Sequence, residues 1–158
     1  GKFFHKKAGF ISKEWFPYFA NYRRDGYDFD ARWEDGLASM RCKKIMDEFE
    51  NREEWKSHEL KKQAGFYKGG EKNFSGMITE LQMQTYLVIR DFRQKRNKKG
   101  AEYGMAVSVY MTPEELWGYD LVTSAYKETP EASMARIYRH VQEHYPDATE
   151  KQIRTLMK

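Results

Sequence analysis

A mainly α chain with one small β-hairpin is the fold class the sequence predicts, and three observations predict it. Helix start and stop signals recur along most of the 158 residues. Around Tyr86 the apolar pattern changes from a helical period to alternation, in TYLVIRDF and AVSVYM. Between those two runs lies RDFRQKRNKKGAEYG, Arg90 to Gly104, which ends in glycine-bearing turn chemistry and is strongly basic.

The elements follow in order. Ser12 is placed to cap a helix through about Tyr22, with Pro17 near enough to its start to be tolerated. RRDGYDFD reads as a turn. One long helix is expected from Phe29 to Phe49, with Phe29, Trp33, Leu37, Met40, Ile45 and Phe49 on its buried stripe. Ser57 then caps a helix that Gly65 terminates, and Asn73 or Lys72 opens NFSGMITELQMQ. At 100° per residue, Met77, Ile78 and Leu81 fall within about 60° of Phe74 and face the core. Lys72, Ser75, Gly76, Thr79 and Met83 take the far side. The two strand-like runs flank the basic stretch as a hairpin with a long tip. Thr112-Pro113-Glu114-Glu115 and Thr129-Pro130 announce further helices, and Asp147 or Thr149 caps a last one through Met157.

Composition narrows the class. Aromatic residues at 16% and apolar residues at 40% suit a packed core, not a disordered chain. The single Cys42 rules out an internal disulfide and a cysteine-based zinc site, and it suits a reducing, cytoplasmic setting. No apolar run approaches the ~18–20 residues of a membrane span, so no membrane partner is expected. The chain opens on Gly1 and not Met, which points to a tag remnant or to a missing N-terminal region.

Location makes the charge informative. The chain carries +4, and residues 90–99 alone hold Arg90, Arg93, Lys95, Arg96, Lys98 and Lys99 against Asp91, a net +5. Subtracting +5 from +4 leaves −1 for everything else. One cationic limb on a nearly neutral body is the footprint of a polyanion partner.

Helix, turn, helix, strand, cationic hairpin, strand is the order of a winged helix-turn-helix, with the basic hairpin as wing. The organisation expected is an aromatic helical segment over 1–53, the winged helix-turn-helix over 54–112, and C-terminal helices over 113–158 packing on the same domain. In such a unit the second helix offers a face to duplex DNA while the wing lies on the backbone. Arg93, Lys95, Arg96, Lys98 and Lys99, with Arg90, supply phosphate contacts, and Lys72, Ser75 and Thr79 face the groove. The helix face has no Arg and carries Glu80 at its margin, which favours backbone binding over base readout.

ELQMQTYLVIRDFRQKRNKKGAEYG, followed by a strand and TPEELWG, resembles the small bacterial proteins described as AlkZ-related, as does GFISKEWFPYF from Gly9 to Phe19. Those proteins are similar to part of the AlkZ/YcaQ group of winged-helix DNA glycosylases. The resemblance implies a link to DNA repair. It also draws attention to Gln82-Met83-Gln84, because those glycosylases use a Gln-x-Gln or Gln-x-Asp pair to position water on an alkylated base. Helical residues at 82 and 84 point about 200° apart and cannot hold one water between them. A DNA-binding protein without catalysis is therefore the favoured reading. The alternatives are an alkylpurine DNA glycosylase and a protein-docking winged helix.

Other constellations are weaker. Trp15, Phe16, Tyr18, Phe19, Tyr22, Tyr27, Phe29 and Trp33 suit a core or a homodimer interface better than a pocket for a flipped base. Asp28 and Asp30 do not make a calcium loop, because Trp33 stands where the turn requires Gly. His140 and His144 share a helix face without a third ligand in sight, so no metal is expected, and no motif calls for a cofactor.

Overall fold

The chain begins with a hairpin where the sequence predicted helix. In the computed structural model, which describes residues 1–158, β1 (Lys2–Phe4) pairs antiparallel with β2 (Lys7–Ala8). His5 and Lys6 make the turn, both at positive φ, 49° and 62°. Two-residue turns of that hand match the twist of the strands they join. α1 (Phe16–Arg24) starts later than a Ser12 cap implies. The Ser12 carbonyl instead accepts from the Trp15 and Phe16 amides in a lead-in turn, and Pro17 sits in the first helical turn.

The single helix expected over 29–49 is two: α2 (Phe29–Glu34) and α3 (Met40–Asn51). Gly36 at φ 72° turns the chain so that the Leu37 amide returns to the Arg32 carbonyl. Ser39 then caps α3, its hydroxyl accepting from the Cys42 amide at 3.2 Å. A left-handed stop followed at once by a cap outweighs a continuous apolar stripe, and Leu37 and Met40 from that stripe are each 55% exposed.

β3 (Glu54–Lys56) is a short strand the sequence did not announce, and it runs directly into α4 (Ser57–Gln63) with Lys56 in the cap position assigned to Ser57. α5 (Phe74–Met83) starts at Asn73 as expected. Asn73 is left-handed at φ 67°, and its side chain accepts from the Gly76 amide at 3.1 Å. β4 (Val88–Arg96) and β5 (Glu102–Met111) form the expected hairpin, and with β3 they make an antiparallel sheet in the order β3–β5–β4.

The C-terminal third follows its punctuation: α6 (Pro113–Trp117), α7 (Tyr119–Val122), a 3-10 turn over 124–127, α8 (Pro130–His144) and α9 (Glu150–Met157). Thr112, Thr129 and Thr149 each accept a backbone amide as N-caps. The reciprocal capping box forms at Thr149 with Gln152. About half of the residues are helical, so the fold is mainly α with small antiparallel sheets. No helix is long and apolar enough to cross a membrane.

Three apolar clusters hold these pieces. The largest joins Phe29, Cys42 and Ile45 of α2 and α3 to Trp55, Leu60, Ile78, Leu81, Leu87 and Tyr110. A second packs Phe3 of β1 on Phe16, Val88 and Val122. The third closes α1 against α8 and α9 through Phe19, Met134, Ile137, Ile153 and Met157. The N-terminal aromatic residues therefore pack mainly within their own chain: Phe16, Phe19 and Phe29 are buried, and Trp15, Tyr18 and Tyr22 lie against the third cluster. His140 stacks on Trp15 at 4.2 Å.

Candidate nucleic-acid interface

The β4–β5 hairpin projects past the core. Its inner half is anchored by Val88, Ile89, Val109 and Tyr110, and from Arg90 outward nearly every residue of β4 has solvent on it. The tip is a closed turn. The Asn97 carbonyl accepts from Gly100 and its amide donates to Ala101, both at 2.9 Å. Its side chain accepts from the Lys99 and Ala101 amides, and Gly100 takes φ 79°. Asn and Gly are the residues that such local bonding and left-handed geometry require. Lys98 and Lys99 are thus held outward on a preformed loop.

Two bulges shape the limb. Arg90 is the extra residue between the Ile89 and Asp91 pairings. Further out, β5 uses Gly104, Met105 and Ala106 opposite the single Gln94, with Gly104 at φ 68°. Bulges increase local twist and re-aim side chains. The outer one leaves Met105 86% exposed, with Phe92 at 64% and Tyr103 half exposed on the same hairpin.

The cation load is divided, which the sequence did not indicate. Glu54 of β3 accepts from Arg90 at 2.6 Å and from Arg93 at 2.5 Å, and Asp91 accepts from Arg93 at 3.0 Å. Arg93 is the chief cause of a Glu54 carboxyl held below its ordinary range; partial burial opposes the shift and Arg90 adds to it. Arg96 reaches Glu102 across the strands at 3.5 Å. Lys95, Lys98 and Lys99 make no ion pair. The base of the limb is therefore internally neutralised, and the uncompensated charge is at its outer end.

α5 presents less than its helical wheel promised. Lys72 and Ser75 are exposed. Thr79, expected on the open face, is buried, and its hydroxyl donates to the Ser75 carbonyl at 2.7 Å. Gln82 is fully buried. Its Oε1 accepts from the Lys2 amide at 3.0 Å and its Nε2 donates to the Ile78 carbonyl at 3.0 Å, so the amide anchors β1 to α5. Gln84 lies beyond the helix end, its backbone amide returning to the Glu80 carbonyl. The Gln82 amide is thus committed within the fold, whereas Gln84 borders the groove beside α5.

Behind this surface sits a buried polar knot. The Arg24 guanidinium donates to the Thr85 hydroxyl at 3.2 Å, the Thr85 carbonyl at 2.7 Å, Glu114 at 2.5 Å and Tyr126 at 3.3 Å. It lies 4.7 Å from the Tyr86 ring centroid. Burial opposes its charge, but Glu114 and Tyr126 hold its pKa above the ordinary value. Tyr119 and Tyr126 both donate to Asp28, and burial pushes Tyr126 up to about 12. The knot fixes the α5–β4 corner, where Thr85 adopts φ 66°, and so sets where the hairpin starts.

Lys2, Lys6, Arg23 and Glu54 also matter to this surface, and nothing in sequence spacing marks them. The one legible signal was FFHKKAG, two aromatic strand residues ahead of a basic turn. Comparison with curated proteins and with solved structures finds no match. The family described as AlkZ related matches residues 1–158, the whole chain, and the protein belongs to that family.

Proposed function

We propose that this protein is a winged-helix DNA-binding protein that grips the phosphate backbone of duplex DNA through the outer end of its β4–β5 hairpin, in a role linked to DNA repair. One observation carries the reading. The order α3–β3–α4–α5–β4–β5, with the sheet arranged β3–β5–β4, ends in a preformed tip whose Lys95, Lys98 and Lys99 have no carboxylate partner. Free lysines on a rigid projection suit phosphate contact, which is sequence-tolerant and salt-dependent. The partial cover over α5 and the exposure of only Lys72 and Ser75 favour backbone binding over base readout. The repair link rests on membership of the AlkZ-related family. A hydrolytic role for Gln82 with Gln84 draws no support from the geometry, because both ends of the Gln82 amide are already bonded within the fold.

The test is a salt titration of binding to a duplex oligonucleotide. Lys95→Ala/Lys98→Ala/Lys99→Ala should flatten the dependence of log K on log salt by about 2–3, at about 0.9 for each phosphate no longer neutralised. Binding that ignores DNA altogether would instead favour a protein-docking role.

A further inference from the structure

A groove of about 860 Å³ runs between the β1–β2 hairpin, the outer face of α5 and the end of α1. Lys2, Lys6, Arg23 and Lys158 border it, against the one carboxylate side chain of Glu80. Arg23 is the unusual member. Its Nη1 donates to the Met83 carbonyl at 3.2 Å, while Nε and Nη2 are buried without any partner. The guanidinium lies 5.4 Å from the centroids of both Phe4 and Phe19, and it forms no ion pair. Burial lowers its pKa to about 10, which still leaves it charged at neutral pH.

A largely buried guanidinium is ordinarily matched by a carboxylate, because desolvating an unpaired charge is unfavourable. Arg24, one residue on, obeys that rule with Glu114. Arg23 does not: it lines the groove wall, with Nε and Nη2 closed off from solvent, and so lends the groove charge through space without offering free donors at those two atoms. The hairpin beside it holds His5 and Lys6 at positive φ, a conformation L-residues seldom take, and this carries Lys6 to the groove margin. The missing counter-charge is therefore one a ligand can supply.

We infer that this groove is a second phosphate-binding site, in which Lys2 and Lys6 take a backbone phosphate of the nucleic acid that the β4–β5 hairpin grips, and Arg23 adds its charge from the groove wall. The inference rests on the DNA-binding reading and extends it. The contact surface then includes both basic hairpins, and α5, whose outer face lines the groove, contributes polar groups near Ser75 more than a reading head.

Two measurements separate the possibilities. In the salt titration, Lys2→Ala/Lys6→Ala should flatten the log–log slope by about two, additively with the tip variant. The Lys2 bond to Gln82 uses the main chain alone, so this change leaves that anchor of β1 in place. Flattening by the tip variant with no effect of the groove variant would overturn this inference and leave the DNA-binding reading standing. Should the wild-type protein bind no DNA, the reading itself fails. The groove is then judged by titrating the Arg23 Nε–H resonance with inorganic phosphate. A saturable shift that is abolished in Lys2→Ala/Lys6→Ala would support a phosphate site filled by the free ion, and no shift would overturn the site.

Discussion

Arg24 in the last turn of α1 and Glu114 in the first turn of α6 form an ion pair at 2.5 Å across 90 residues of chain, with the guanidinium almost wholly buried. The pair stabilises through completeness: each nitrogen of the Arg24 guanidinium meets Thr85, Glu114 or Tyr126. Glu114→Ala removes the counter-charge and should lower unfolding free energy by about 3 kcal/mol. That is the low end of the range for breaking a buried pair, since 26% of the Glu114 side chain is exposed. Urea denaturation measures it. Arg24→Met/Glu114→Leu should lose less than the two single changes together.

Gln82 provides a second stability test with a functional edge. Gln82→Leu keeps volume but strands the Lys2 amide, and should destabilise by about 1–3 kcal/mol. Hydrogen exchange at Lys2 and Phe3 should accelerate well before exchange at Leu81. An unchanged exchange pattern would show that β1 is held by Phe3 packing alone.

Glu54 governs how much arginine the hairpin can offer. Its carboxyl is held below the ordinary 4.5, chiefly by Arg93. A depressed carboxyl contributes its stabilisation fully above the unfolded value and loses it as pH falls through the lower folded value. Glu54→Gln should therefore lower Tm at pH 7, with the difference from wild type shrinking as the pH falls below the ordinary carboxylate range. At neutral pH the same change frees Arg90 and Arg93, and duplex DNA binding should tighten with a slope steeper by about 1–2.

Asn73 holds two jobs at the start of α5: it tolerates a left-handed backbone and accepts from the Gly76 amide. Asn73→Gly keeps the first and should cost about a few tenths of a kcal/mol. Asn73→Ala loses both and should cost about 1–2 kcal/mol in thermal unfolding.

Much of the fold was readable because it rests on local chemistry. Asn73, Thr112, Thr129 and Thr149 start helices where their short polar side chains imply, and the change of period near Tyr86 marks β4. The Phe29–Phe49 stripe misled because Gly36 and Ser39 encode a break more strongly than spacing encodes continuity. β1, β2 and β3 were invisible for another reason. Strands of two or three residues carry too little alternation to register: β3 is set by pairing with β5, and β1 and β2 pair only with each other, with β1 held against α5.

The amino-acid order alone determined the helical punctuation, the hairpin and the concentration of cations along it, since caps, turns and charge act within a few residues. Tertiary structure decided which of those cations are free. Glu54, nearly forty residues before Arg93, neutralises the base of the limb, and the N-terminal hairpin folds onto α5 to bring Lys2 and Lys6 beside an Arg23 that lacks a carboxylate. Electrostatic pairing depends on distance in space, and only the folded chain sets that distance.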